Sequence, residues 1–139
     1  MKFKYKQFFD LPASEGGDSL PLLSVRLKNG LNELNVRCLV DSGASETLLS
    51  ADIAELLGID PSQAKKQRYA GIGETPILGF RHKLLLKISG FDEWITINAG
   101  FIPENKMPLL GHSGFFENYE VTFQAYNQRF EVKKPKVSR

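Results

Sequence analysis

The chain has a single cysteine, Cys38, in 139 residues. One thiol excludes an internal disulfide. Its place in the apolar run Cys38-Leu39-Val40 reads as a small core residue in a reducing compartment, which points to a cytoplasmic protein. Charge of one sign is also scarce: 18 basic against 16 acidic residues leave +2. That balance is too small to imply nucleic acid or an anionic membrane surface as a partner. No apolar run approaches the roughly 20 residues that span a bilayer. The start, Met1-Lys2-Phe3-Lys4-Tyr5-Lys6, lacks the apolar stretch of a secretory signal. Only two histidines occur, His82 and His112, far apart and with no HExxH-like helix, so neither a zinc site nor any other cofactor is expected.

What is present suits one soluble domain: 42% apolar and 24% charged residues, in a chain long enough to bury a core. Short strand-like runs alternate with Gly, Pro and Asn. Phe3 and Tyr5 alternate with lysines. Leu11 to Pro21 reads as a loop. Leu22 to Leu27 and Leu31 to Val40 read as strands joined at Asn29-Gly30, where both residues tolerate positive φ. Ala51 to Leu57 is the first helical stretch, with Ser50 as its cap and Gly58 closing it. Gln67 to Leu78 suggests a hairpin with a mobile glycine tip. Lys83 to Ile88 and Glu93 to Asn98 follow as strands, the second extended by Phe101-Ile102. Pro108 to Gly111 is a short apolar strand, and His112 to Tyr119 a short helix with Ser113 as a cap. Val121, Phe123, Phe130 and Val132 form a closing hairpin around Tyr126-Asn127. Residues 133–139 form a basic tail. Many short strands with one or two short helices predict an all-β, barrel-like domain.

Asp41-Ser42-Gly43-Ala44 is the stretch that carries chemistry. An Asp-Ser-Gly tripeptide alone fills many surface turns. Here it follows Leu39-Val40 and precedes Thr47-Leu48-Leu49, so a carboxylate stands at the end of a buried strand with little polar padding. Glycine-flanked Ile72 and the strand Leu109-Leu110-Gly111 follow in order.

That ordered set, over roughly Leu20 to Val132, resembles the retropepsin family, the single-domain aspartic proteases related to retroviral proteases. The resemblance implies a closed acid-protease barrel over residues 21–132, flanked by an N-terminal extension, 1–20, and the tail. It implies that Asp41 is the catalytic carboxylate and that its mate is Asp41 of a second copy, so the partners are a homodimer mate and a polypeptide substrate. Ser42 then links the two catalytic loops, and Gly43 lets the substrate backbone approach. Gly71, Ile72 and Gly73 correspond to a flap over the bound peptide. Ala44, Glu46, Leu48, Met107 and Leu109, with Leu39, correspond to substrate contacts, which favours apolar side chains around the cleaved bond. After Gly111 the viral members carry Arg, paired with an Asp shortly after the catalytic motif. Here those positions read His112 and Ser45, which suggests a polar His112–Ser45 contact instead. Viral members also dimerise partly through interleaved terminal strands.

Two other readings stay open. One is a domain of the same fold that binds extended peptides or partners without cutting. The other is a small β-barrel that binds nucleic acid through terminal lysines and Tyr69, Tyr119 or Tyr126.

Overall fold

The computed structural model describes residues 1–7, 19–69, 75–103 and 107–136. The strands in chain order are β1 Lys2–Lys4, β2 Lys6–Gln7, β3 Ser19–Leu20, β4 Leu22–Asn29, β5 Asn32–Val40 and β6 Leu48–Ser50. After helix α1, Ala51–Leu56, come β7 Lys65–Tyr69, β8 Ile77–Ile88, β9 Ile95–Ile102, β10 Leu109–Leu110, β11 Glu120–Gln124 and β12 Arg129–Lys133.

Local chemistry explains the first hairpin and the helix. β4 alternates buried Leu23, Val25 and Leu27 with exposed Ser24 and Arg26, the period-two pattern of a strand with one face in the core. It turns into β5 at Gly30, whose φ of +60° suits a residue without Cβ. In α1 the Ser50 hydroxyl accepts the N–H of Ile53 at 3.3 Å, and Gly58 follows the helix at φ +68°.

Six strands close a barrel in the order β4-β5-β10-β6-β9-β8, sealed by antiparallel β8–β4 pairing. β10 lies parallel to β5, and β6 parallel to β9; β7 hangs antiparallel on β8. Outside the barrel, β12 lies between β1 and β11. The Met1 ammonium donates to the Val132 carbonyl at 2.7 Å, and the Phe3 and Phe130 rings stack at 5.3 Å. Phe130 and Val132 reach into the same core as Leu27, Leu49, Phe101 and Phe115. The first and last strands, β1 and β12, are therefore bound to the domain. β12 runs through Lys133, and Lys134 pairs with Glu93.

Two sequence expectations are corrected. His112 to Tyr119 is a run of hydrogen-bonded turns, not a helix; Gly114 at φ +97° breaks the helical path, and Glu117 Oε1, rather than Ser113, accepts the Gly114 N–H at 2.8 Å. The stretch read as a loop ends in β3, which pairs with β2. Residues 8–18 of that stretch lie outside the described residues.

Candidate active site

Asp41 stands immediately after β5, where the barrel wall ends. Its N–H donates to the Leu110 carbonyl at 3.0 Å, so β10 holds the loop at its first residue. The Asp41 carbonyl accepts the Ala44 N–H at 3.1 Å, and Asp41 Oδ1 accepts the Gly43 N–H at 2.9 Å. The carboxylate thus stabilises its own turn, as Asp side chains do at such positions. A Cβ on Gly43 would lie 3.3 Å from Asp41 Oδ1, pressing on the carboxylate. Asp41 and Ala44 are half-buried, while Ser42 and Gly43 are exposed.

A second segment clamps the loop from below. His112 N–H donates to the Ala44 carbonyl and Ser113 N–H to the Ser45 carbonyl, each at 2.9 Å. His112 Nε2 lies 2.7 Å from the Ser42 carbonyl oxygen; a carbonyl only accepts, so Nε2 carries the proton. The partner of the His112 side chain is therefore Ser42, not Ser45. Gly111 is required by close approach, since a Cβ there would sit 2.2 Å from the Glu46 carbonyl oxygen.

Thr47 is the buried polar side chain at the centre of this clamp. Its hydroxyl donates to the Ser113 carbonyl at 2.9 Å and accepts the Gly111 N–H at 3.2 Å. Sequence reasoning missed that role. The available signal was a lone hydroxyl two residues before the core residue Leu49, and so on the same face of the chain as it.

Register places the expected substrate contacts. Leu39 pairs with Leu109, Leu109 with Leu48, and Leu48 with Gly100. Paired residues project from the same face of a sheet. Leu39, Leu48 and Leu109 are half-buried, whereas their chain neighbours Cys38, Val40, Leu49 and Leu110 are buried. The three leucines therefore form one apolar ledge on the outer face, two residues from Asp41. Met107 is half-buried and lies just before Pro108, whose carbonyl accepts the Leu39 N–H at 2.8 Å. Glu46 forms an ion pair with Arg81, a partner the sequence did not indicate. Gly71, Ile72 and Gly73 lie outside the described residues; the strands on either side, β7 and β8, pair up to Tyr69 opposite Ile77.

Cys38 is buried, and burial pushes its thiol up to about 12. It is no nucleophile in that form. Among the described residues no cluster of three or more His, Cys, Asp or Glu side chains has the placement of a metal site.

The family model described as aspartyl protease matches residues 24–113, which include the turn, the clamp and the ledge. No curated protein matches the chain. The structure of a retropepsin-like aspartic protease from Rickettsia conorii superposes with a TM-score of 0.63 at 15% identity, over 96% of this chain and 98% of that one. The retroviral protease-like domain of Ddi1 from Leishmania major superposes with a TM-score of 0.49 at 22% identity, over 66% of this chain and 73% of that one.

Proposed function

The chain belongs to the aspartyl protease family, and from that membership we propose that it is a homodimeric endopeptidase with Asp41 as its catalytic carboxylate. The observation that carries the reading is the placement of Asp41. An aspartate stands half-exposed at the end of a buried strand, on a turn fastened to β10 and to the His112 segment, beside an apolar ledge. A binding surface has no need of so firmly held a carboxylate.

One chain supplies one such carboxylate, so the reaction needs a second copy. Two carboxylates about 3 Å apart cannot both ionise, and the pair holds one proton. The ionised member takes a proton from water as the water oxygen attacks the scissile carbonyl carbon. The protonated member donates to the carbonyl oxygen, and a proton then passes to the leaving amine. Ser42, at the exposed tip of the turn, is the residue we assign to the contact between the two loops. An extended peptide lies along the Leu39–Leu109–Leu48 ledge and pairs through its main chain with a flap at Gly71-Ile72-Gly73. The test is cleavage of a peptide library at acidic to mildly acidic pH. Asp41→Asn abolishes it, and a statine-type inhibitor, whose hydroxyl mimics the attacking water, blocks it. Cleavage that persists in Asp41→Asn removes Asp41 from this role.

One observation favours a non-catalytic peptide-binding domain instead. β12 is enclosed between β1 and β11 of its own chain, so it has no open edge for a second copy's terminal strand. The endopeptidase reading therefore requires a dimer that does not interleave at β12 and is built on another surface, such as the outer edge of β1 or β11. A chain that sediments as a monomer with and without inhibitor supports the binding reading.

A further inference from the structure

β7 and β8 carry charge of one sign. They contain Lys65, Lys66, Arg68, Arg81, Lys83 and Lys87, six of the chain's 18 basic residues, and no Asp or Glu. In a chain of net charge +2 this is segregation of charge, not excess.

Register decides where these cations point. The rung that carries the apolar ledge continues from Leu48 through Gly100 to Arg81, and from Arg81 to Lys65. Lys83 lies two residues beyond Arg81, on the same face, and pairs with Asn98. Here a cleft of about 390 Å³ is lined by Gln63, Lys65, Arg81, His82, Lys83 and Asn98, together with Ala64. None of these side chains is a carboxylate. Arg81 reaches Glu46, but Lys65 and Lys83 have no ion-pair partner among the described residues. Lys87 is engaged elsewhere, its ammonium lying over the Trp94 ring at 5.4 Å.

We propose that this cleft binds an acidic side chain of an extended polypeptide whose apolar segment lies on the leucine ledge. Acidic polypeptides are then the preferred substrates. The proposal rests on the endopeptidase reading and names its substrate class. Neighbouring strands lie about 4.8 Å apart, so Leu48 and Lys65, three strand spacings along the rung, are separated by roughly 14 Å, or about four residues of extended chain. The carboxylate therefore belongs to a residue about four positions from the side chain seated on Leu48. A polyphosphate backbone is the weaker match, since the adjoining ledge is leucine and the ring beside it, Tyr69 over Gly100, is buried and unavailable for base stacking.

The test uses the full chain and peptides sharing one apolar core, flanked by Glu, Gln or Lys. Cleavage of the Glu-flanked peptide exceeds that of the Lys-flanked one by roughly tenfold or more in kcat/KM at low salt, and added salt narrows the gap. Lys65→Glu with Lys83→Glu erases the preference through KM, whereas the charge-matched control, Lys2→Glu with Lys4→Glu on β1, retains it. Equal cleavage of all three peptides overturns the proposal and leaves the endopeptidase reading intact. If nothing is cleaved, that reading fails, and anisotropy with labelled peptides decides this one. The cleft predicts tighter binding of the Glu-flanked peptide, lost in the Lys65/Lys83 double variant. Equal binding of all three peptides, or tighter binding of a thymidine oligonucleotide than of the acidic peptide, overturns it.

Discussion

His112 Nε2 donates to the Ser42 carbonyl across 2.7 Å, and its ring lies 5.0 Å from that of Phe116. Together with the bond from His112 N–H to the Ala44 carbonyl, it grips the Asp41 turn at two points. His112→Ala leaves the Ser42 carbonyl to water and frees the turn. The residue is exposed, so the stability loss is about 1 kcal/mol. Thermal unfolding checks that figure. Turnover falls more than stability, because the carboxylate loses its fixed position, and a kcat measured well below the unfolding temperature checks this.

Thr47→Val removes the hydroxyl that joins Gly111 to Ser113 and leaves the buried Gly111 N–H unpaired, while the Ser113 carbonyl keeps the Thr47 N–H at 3.1 Å. The cost is about 2–3 kcal/mol in denaturant unfolding. Thr47→Ser keeps both hydrogen bonds and loses only a methyl group, for about 1 kcal/mol. An equal cost for the two variants would locate the role of Thr47 in packing and not in its hydroxyl.

Gly111→Ala drives a Cβ to 2.2 Å from a backbone oxygen of Glu46, in a segment hydrogen-bonded on both sides. Neither chain can move away without breaking the clamp, so the variant loses about 3 kcal/mol or more. Soluble yield and unfolding midpoint report it.

Alkaline pH weakens the fold through Cys38. Its folded value of about 12 lies above the ordinary 9.0, so the unfolded chain releases this proton first. The thiol's contribution is fully present below pH 9 and is lost as pH rises toward 12, with a slope of about 1.4 kcal/mol per pH unit. Burial raises the Tyr69 and Tyr119 hydroxyls too, which adds to the same trend. Denaturant titrations from pH 8 to 11 show a decline that is shallower in Cys38→Val. A thiol reagent leaves the native chain unmodified and reacts once it unfolds.

The sequence was most legible where one residue decides the local path. Asn29-Gly30 marked the first hairpin, Ser50 and Gly58 marked the ends of α1, and Asp41-Ser42-Gly43 marked the turn. Contacts between residues far apart in the chain left no such mark. The sealing of the barrel by β4 and β8 depends on Val25 meeting Ile88, and the enclosure of β12 on Phe3 meeting Phe130. The pairing of Glu46 with Arg81 needs both strands in place before either charge has a partner. Gly114 misled for a different reason. The spacing after His112 suits a helix, but the chain turns at φ +97° to bring Phe115 into the core and Gly114 against Thr47.

In the proposed endopeptidase Asp41 is half of a site completed by a second copy. This is tested most directly by mixing wild-type chain with Asp41→Asn chain at constant total concentration and following peptide cleavage. If both carboxylates of a dimer are needed, activity falls as the square of the wild-type fraction, so an equal, fully exchanged mixture retains about a quarter of it. A linear decline to one half would mean that each chain works alone, and would contradict the account.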